Sequence, residues 1–454
     1  MSRQFLDSQG GKHDKHVNAS EQPEYLLSKP QLEALLGNAL PGEALPGAGH
    51  AASMAEQPRR EFLRAAAVAA GALALAACNA DGLVNSVTNA SPSMSPNGAA
   101  SGVTDALTKV SLSTRLTREF GIDVPFVGAG MGFIALPALV AAVSNAGGLG
   151  VLGNAIEPPA GTQVLIRSIK ALTSKPFGVD FIVDDAAFGP LTTDAHIDVC
   201  VDERVKLVVF HFNVPPKVWV DRLHASGAKV WMQAASVKQA VEAVEVGVDA
   251  IVAQGSEAGG HNKSKTPSLT LLPQIINAVK PVMVLAAGGI ANGEGVFNAL
   301  VAGAEGVWVG TRLVASTEAY ANSEYKQRLV QAQANATVTT TMFGPEFPNR
   351  PYRVLRNRIV NEFAGREDQI PTPPPPPDVI GKTLLFPQSL KAPYEMPKFS
   401  AIVPTPDTVG DFEEMGLPAG DGVKFIKDIQ PAAKIIASMM GEARQMIVQQ
   451  LGRV

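Results

Sequence analysis

Residues 249–261, DAIVAQGSEAGGH, are the most informative part of the chain. Its apolar run, residues 250–253, is too short for a helix and is bounded by Asp249 and Gly255, which is typical of a parallel strand buried on both faces. The glycines that follow let the backbone approach a ligand closely. Because the turn ends on His261, the stretch predicts a buried strand that leads into a ligand-binding loop and an imidazole.

Seven further segments of the same character follow or precede it from residue 124 onward. We expect strands at residues 125–129, 148–153, 176–183, 206–212, 229–234, 249–254, 281–286 and 306–310. Helical patterns lie between them, for example at residues 136–145, 237–246 and 293–301. Eight strands that alternate with helices predict an α/β fold with a parallel sheet, and a closed (β/α)8 TIM barrel is the natural solution. Residues 111–362 number 252, close to the roughly 250 typical of that barrel.

A doubly wound dinucleotide-binding fold is the alternative, because Gly148, Gly150 and Gly153 form a G-x-G-x-x-G match. That fingerprint should follow a strand, open a helix and precede an acidic residue by about 20 positions. Here it follows a helical pattern and lies within a predicted strand, and residues 161–179 contain no Asp or Glu. The context therefore argues against the dinucleotide fold.

The region before the barrel is predicted to contain an export signal. Residues 1–57 are polar and without sustained periodicity, so we expect them to be disordered or to lie largely upstream of a true start at Met54. Residues 58–78 contain paired arginines at 59–60. Thirteen small or apolar residues follow at 65–77, and the segment ends on Cys78. Thirteen residues are too few to cross a bilayer, which needs about 20. The pattern is typical of a twin-arginine signal with a lipobox. An Ala-rich amphipathic helix is the alternative, although no polar stripe marks one.

This signal predicts an exported protein, periplasmic or anchored to the membrane through an acylated Cys78, with a cytoplasmic location as the alternative. Residues 79–108 are rich in Ser, Asn, Gly and Ala and suit a flexible tether. The barrel is expected at residues 109–362, and a proline-rich arm with a C-terminal helical segment at residues 363–454. The prolines at 373–377 exclude a helix or central strand there, so the arm wraps the barrel or stands extended.

The composition fits a soluble enzyme, with 46% hydrophobic and 18% charged residues. A net charge of −4 gives no basic footprint for nucleic acid, and no metal site is predicted. The two cysteines are Cys78 and Cys200. If Cys78 is acylated, no internal disulfide can form, and we expect Cys200 to pack as a small hydrophobe.

Glycine-rich turns end the seventh and eighth predicted strands, with AAGGI at residues 286–290 and WVGTR at residues 308–312. In a (β/α)8 barrel, ligands sit at the carboxyl ends of the strands, and phosphate groups sit after strands seven and eight. Glycines there expose N–H groups that can cradle a phosphate, helped by the helix that follows. Glycines needed only for tight turns are the alternative, which explains one such loop better than two. We therefore predict a phosphate-bearing ligand.

Six ordered motifs carry a resemblance to a known family. They are VGAGMGFIALPALVAAVSNAGGLGVLGN, PFGVDFIV, VVFHFNVPP, DAIVAQGSEAGGH, VLAAGGIANGEGV and GVWVGTR. Together they resemble the FMN-dependent nitronate monooxygenase family, formerly called 2-nitropropane dioxygenases, over residues 116–358 and more weakly over 419–443. The motifs are specific for the superfamily and less so for the substrate, because flavin-dependent enoyl reductases and NADH:quinone reductases share the scaffold.

The resemblance implies FMN as the cofactor and His261 as the catalytic histidine. With an unperturbed pKa of about 6.5, a histidine can act as base toward a nitroalkane C–H or, protonated, pair with a nitronate anion. A structural histidine satisfied by a carbonyl is the alternative. The candidate cofactor-binding residues are Ala129, Met131, Asp180, Gln254, Gly259, Gly260, Gly288, Gly289, Trp308, Val309, Gly310 and Thr311.

Two positions depart from the family pattern. Asp180 stands where the family usually reads PFGVN, and an ionised Asp180 could accept from the flavin N3–H but could not donate. The first-strand turn reads GAGMG at residues 128–132 instead of an A-P-M-A-like sequence. Among the other histidines, His211 either lines the pocket or packs in the core, and His196 and His224 are expected at the surface.

The function that the resemblance implies is oxidation of alkyl nitronates or nitroalkanes with O2 by an FMN-dependent oxidoreductase. An NAD(P)H-dependent flavin reductase of the quinone or enoyl type is one alternative on the same scaffold. A non-catalytic flavin-binding lipoprotein is another, and the Asp180 departure and the export signal favour it.

Overall fold

The computed structural model describes residues 112–186, 189–344, 346–370 and 378–451. The predicted disordered N-terminus, export signal and tether therefore lie outside the described residues, as does the run of prolines at 373–377. Within the described part, no helix combines the length and the apolar character that crossing a membrane requires.

Eight parallel strands close into a barrel in which each strand pairs with the next and the last pairs with the first. They are β1 Phe126–Gly128, β2 Leu149–Asn154, β3 Phe177–Val183, β4 Leu207–Phe212, β5 Lys229–Ala234, β6 Ala250–Gln254, β7 Met283–Ala287 and β8 Val307–Val309. Every predicted strand is present, with ends that agree within two residues. The predicted (β/α)8 barrel is confirmed.

Helices cover the outside of the barrel and continue beyond it. The α-helices are Arg115–Phe120, Pro137–Asn145, Pro159–Leu172, Asp194–Asp202, Lys217–Ala225, Val237–Glu245, Ser268–Val279, Gly293–Val301, Thr311–Val314, Ser323–Gln331, Arg358–Phe363 and Ala432–Leu451, with 3-10 turns at Glu367–Gln369 and Asp421–Phe425. The three helices predicted from sequence begin and end within one residue of their expected bounds.

The inside of the barrel is a packed core, because alternate residues of each strand point inward. Inward residues such as Val151, Trp231 and Leu285 form one buried cluster. The helix Arg115–Phe120 closes the amino end of the barrel: Leu116 is fully buried, and the ring of Phe120 meets that of Trp231 edge-on at 5.4 Å between centroids. The opposite, carboxyl end is left for the site.

The G-x-G-x-x-G match is explained by close packing within the barrel. A Cβ on Gly150 would lie 2.1 Å from the carbonyl oxygen of Val140 in the first barrel helix. A Cβ on Gly153 would lie 2.2 Å from the backbone of Met131. These glycines let a helix and a loop approach β2, so the sequence-based rejection of a dinucleotide fold is confirmed.

The residues after β8 add two small antiparallel sheets. One joins Thr337–Thr340, Tyr352–Leu355 and the two-residue strand Gly260–His261 from the barrel loop. The other joins Val379–Leu385, Ala392–Pro397 and Val409–Gly410. A two-stranded ladder, Asp185–Ala186 with Gly189–Pro190, follows β3.

The C-terminal helix Ala432–Leu451 packs against the barrel helices Pro137–Asn145 and Gly293–Val301. A Glu442 side-chain oxygen accepts a hydrogen bond of 2.9 Å from the N–H of Gly293, the first residue of one of those helices. A carboxylate at a helix N-terminus is favourable because the N–H groups there lack partners within the helix.

One sequence-based expectation is wrong: His196 is not a surface residue. It is only 4% exposed, and its Nε2 lies 2.9 Å from the carbonyl oxygen of Glu157. Its ring meets Phe181 edge-on, because the third position of its helix turns toward the barrel. His224 is exposed as expected, and Cys200 packs in the core as a small hydrophobe.

Truncation of the residue that closes the amino end should destabilise the barrel. Leu116→Ala removes a fully buried side chain and should lower the free energy of unfolding by about 2–5 kcal/mol. Leu269→Ala is the matched control, because Leu269 is 51% exposed and such surface changes stay within about 0.5 kcal/mol. Urea unfolding of both variants measures the difference; equal losses would show that the helix Arg115–Phe120 does not seal the core.

Candidate active site

A deep cleft opens at the carboxyl ends of the barrel strands. It encloses about 1320 Å³ of empty space, counted to its open mouth. Twelve of the thirteen candidate residues line it: Ala129, Met131, Asp180, Gln254, Gly259, Gly260, His261, Gly288, Gly289, Trp308, Gly310 and Thr311.

Val309 is the candidate residue that does not line the cleft. Its side chain lies in the layer between the strands and the outer helices, 1% exposed. Because side chains alternate along a strand, the inward position of Trp308 turns Val309 outward. Its carbonyl oxygen still shapes the site by accepting a 2.9 Å hydrogen bond from the N–H of Ala129.

His261 lies on one wall of the cleft and is held from two sides. The strand Gly260–His261 pairs with Tyr352, and the two rings stack with centroids 4.2 Å apart. Phe347 and Phe212 contact the imidazole at centroid distances of 5.1 and 5.6 Å. The buried Nε2 of His261 has no hydrogen-bond partner within the described residues. An aromatic cage therefore fixes a ring whose polar atom is left for a ligand.

The electrostatics of the cleft keep its histidines neutral. Burial lowers the pKa of His261 to about 3, helped by His211 and Arg350. Burial lowers the pKa of His211 to about 4, opposed by a hydrogen bond to the backbone of His261. Of the two alternatives for His211, lining the pocket or packing in the core, the structure shows the first. In the ligand-free cleft, both imidazoles are uncharged at pH 7, so His261 is a proton acceptor and not an imidazolium.

Charged side chains surround the mouth above the histidines. Arg350 pairs with Asp184 at 2.6 Å between Nη2 and Oδ2. The Lys263 ammonium lies 5.0 Å from the centroid of the Phe212 ring and 3.3 Å from Oδ1 of Asn213. Two cations and one carboxylate leave a net positive charge beside the mouth, which favours an anionic substrate.

Another part of the cleft, the glycine end, is built from the turns after β7 and β8. Gly288 and Gly289 follow β7 with φ angles of 107° and 73°, a backbone region that other residues rarely adopt. Gly310 follows β8, where the position of its missing Cβ would face Met131 Sδ at 3.5 Å. The N–H groups of these three glycines donate no hydrogen bond to the described part of the chain. Unpaired N–H groups on two adjacent turns suit an anion such as a phosphate.

A C-terminal segment, residues 418–422, covers this glycine end, and the sequence did not predict it. A Cβ on Gly259 would lie 2.5 Å from Ala419, so Gly259 is a glycine because this segment crosses it. The Gly420 N–H donates to Oγ1 of Thr311 at 3.0 Å, and the Asp421 N–H donates to the carbonyl of Glu257 at 2.9 Å. This segment, residues 418–422, is named the strap, and it connects the loops after β6 and β8.

Gln233 is a cleft residue that the sequence reasoning missed. It lies in β5, is 6% exposed, and donates a 3.0 Å hydrogen bond from Nε2 to Oδ2 of Asp180. A polar residue near the carboxyl end of an apolar strand was the available signal, since Gln254 occupies a similar place on β6. The described residues contain no cluster of side chains that could hold a metal ion.

The sequence profile of one family, nitronate monooxygenase, matches residues 113–442. The chain belongs to the nitronate monooxygenase family. Its members are flavin-dependent oxidoreductases, so the resemblance expected from the six motifs is confirmed, and the protein is an enzyme of that class. A flavin fits the cleft, because unpaired N–H groups of the glycine turns and unpartnered buried atoms of Asp180 and His261 line the same cavity.

Relatives of the nitronate monooxygenase family extend the similarity. A probable nitronate monooxygenase of Staphylococcus aureus (strain Newman) is 33% identical over 299 residues, which are 57% of this chain and 83% of that protein. The structure of FabK from Thermotoga maritima is 30% identical with a TM-score of 0.62, covering 75% of this chain and 99% of that one. A nitroalkane oxidase from Streptomyces ansochromogenes is 26% identical with a TM-score of 0.59, covering 74% and 99%.

The depressed histidine pKa values predict how the flavin-free enzyme responds to acid. His261 stays neutral to about pH 3 in the folded state, whereas an unfolded histidine protonates below about pH 6.5. The stability linked to this histidine is complete above that pH and is lost as pH falls toward 3, because the unfolded state binds more protons. Urea unfolding between about pH 7 and 4.5 should show a falling free energy of unfolding. His261→Asn should reduce the slope of the free energy of unfolding against pH by the equivalent of about one bound proton. An unchanged slope would show that the pKa of His261 is the same in the folded and unfolded states.

Proposed function

We propose that the protein is an FMN-dependent enzyme that oxidises alkyl nitronates or nitroalkanes with O2. One arrangement carries the proposal: unpaired glycine N–H groups at one end of a cleft and the unpartnered Nε2 of His261 on its wall. A mononucleotide fits this arrangement, because its single phosphate would lie at Gly288, Gly289 and Gly310 under the strap, residues 418–422. The flavin ring would then extend toward Asp180 and His261.

The chain's own residues bind and orient the substrate. His261 Nε2 would accept the proton next to the nitro group of a nitroalkane, which leaves a nitronate anion beside the imidazolium so formed. Burial keeps His261 neutral before the substrate enters, and the nitronate anion formed beside it would offset the cost of charging a buried imidazole. Tyr352 and Phe347 hold the imidazole in place. Bound FMN would supply the redox chemistry between the nitronate and O2.

The positive rim supports an anionic substrate. Lys263 is an exposed residue whose ammonium lies over the Phe212 ring, and partial burial of that ammonium lowers its pKa. Asp184 attracts both Lys263 and Arg350, so two cations share one carboxylate and a positive charge remains. A small nitronate entering past this rim would meet a favourable field, whose effect on the rate of binding falls as salt is added.

An NAD(P)H-dependent flavin reductase is the second candidate function. The similarity to FabK favours it. A similar protein from Mycobacterium tuberculosis, a carboxyl-CoA dehydrogenase, also favours it. That protein is 36% identical over 254 residues, which are 56% of this chain and 68% of the dehydrogenase. Both functions would place a flavin in the same cleft, so the residues that line it do not separate the two functions.

Anaerobic reduction of the bound flavin separates the candidates. The purified protein should be yellow and release FMN, not FAD, on denaturation. Addition of ethyl nitronate without O2 should bleach the flavin absorbance within a turnover, and admission of O2 should restore it. NADH and NADPH should leave the spectrum unchanged on that timescale. Bleaching by a nicotinamide but not by the nitronate would establish the reductase, and bleaching by neither would support a non-catalytic flavoprotein.

Substitution of the cleft histidine should separate binding from chemistry. His261→Asn should retain FMN and lower turnover with a nitroalkane by about 10²-fold or more, the range of a lost general base. The loss should be much smaller with a preformed nitronate, which needs no proton removal. His224→Asn is the control, because His224 is exposed and bonds Asp249 at the amino end of the barrel. Equal turnover by His261→Asn and wild type would assign His261 a structural role.

We also propose that the enzyme is exported with its flavin already bound. The paired arginines at 59–60 and Cys78 support this proposal, because a twin-arginine route carries folded proteins. Arg59→Lys combined with Arg60→Lys should retain a flavin-loaded precursor in the cytoplasm, and Cys78→Ala should release active enzyme from the membrane. Fractionation that finds the wild-type chain wholly cytoplasmic with residues 59–78 attached would refute export.

A further inference from the structure

The cleft contains a buried carboxyl group that the proposed reaction does not use. Asp180 lies within β3 and is 7% exposed. Its side chain points into the cleft, where the turn after β1 passes so close that a Cβ on Gly130 would lie 2.3 Å from the Asp180 Cβ. Gly130 is therefore required for Asp180 to occupy this place.

The hydrogen bonding of Asp180 is asymmetric. Gln233 donates to Oδ2 at 3.0 Å, whereas the buried Oδ1 has no partner within the described residues. No lysine, arginine or histidine of the described chain forms an ion pair with this carboxyl group. An isolated buried carboxylate is far more costly than a neutral acid, so the arrangement favours a protonated side chain. Burial raises the pKa of Asp180 well above its usual range, with only Gln233 acting in the opposite direction.

We propose that Asp180 is a flavin-positioning residue that carries a proton and donates a hydrogen bond from Oδ1 to an acceptor atom of the flavin ring. Gln233 fixes the carboxyl group by occupying Oδ2, so that Oδ1 presents the proton to the cleft. This inference rests on the proposed binding of FMN. It differs from an ionised Asp180, which could only accept a hydrogen bond from the flavin.

The other titratable side chains of the cleft leave a window in which Asp180 can be observed. Those that line it are His211, His261, Tyr325 and Tyr352. The pKa values of the two histidines lie near 4 and 3, and burial raises those of the two tyrosines. Lys263 and the pair Asp184–Arg350 lie outside this lining, at the mouth. Above the pKa values of the two histidines and below those of the two tyrosines, Asp180 is thus the cleft-lining group whose proton can change FMN affinity.

The test is the pH dependence of FMN affinity, measured by equilibrium dialysis of the full-length protein against FMN. In wild type, affinity should fall as pH rises, by up to tenfold per pH unit once Asp180 ionises in the free protein, because binding then takes up one proton. Asp180→Asn keeps a donor of the same shape and should bind FMN without this fall. Any pH dependence of FMN affinity that remains in Asp180→Asn comes from titration of the phosphate and the ring of FMN itself. It is subtracted from the wild-type profile.

Two further variants test whether the proton on Asp180 causes the pH dependence of FMN affinity. Gln233→Met removes the donor that favours the ionised acid, so the fall should begin at higher pH. Asp184→Asn, at the mouth, should leave the wild-type dependence unchanged. An affinity that rises with pH, or a wild-type profile that matches Asp180→Asn, would overturn the protonated Asp180 and leave FMN binding intact. Absence of FMN binding by wild type at every pH would overturn the proposed function itself.

Discussion

The parallel ladder between β1 and β8 is the interaction on which the site depends, because it closes the barrel. Phe126, Val127 and Gly128 pair with Val307, Trp308 and Val309, which removes both edges of the sheet. Closure brings all eight carboxyl ends around one cleft, so the turn after β1 meets the turn after β8. The glycine end at Gly310 and the wall that carries Asp180 thus line one cleft, although they lie far apart in the chain.

The barrel alone does not complete the site. His261 belongs to a barrel loop, yet its position is set by pairing and stacking with Tyr352, far along the chain. The strap, residues 418–422, similarly fixes the loops that precede His261 and follow β8. Arg353 connects the loop that precedes His261 with the strap. Its side chain donates to the carbonyl of Ser256 in that loop and pairs with Asp421 of the strap, each at 3.0 Å. The C-terminal residues therefore supply the rigidity that a preorganised site requires.

The sequence predicted the barrel because strands buried on both faces read as short apolar runs between glycines, a local signal. Most of the candidate residues were found for the same reason, since they sit where those runs end. Val309 was a candidate residue, although its alternation with the inward Trp308 turns its side chain out of the cleft. Gln233, the buried His196 and the strap were not predicted, because each depends on contacts between distant segments. The neutral state of His261 and Asp180 depends on burial, which the sequence did not show.

A crystal structure of the purified protein grown with FMN tests the central claim most directly. The phosphate is predicted to accept hydrogen bonds from the N–H groups of Gly288, Gly289 and Gly310 beneath the strap, residues 418–422. The flavin ring is predicted to lie between Asp180 and His261, with Nε2 of the imidazole facing the space left for substrate. A phosphate bound elsewhere, or a flavin ring that does not approach Asp180 and His261, would contradict the account.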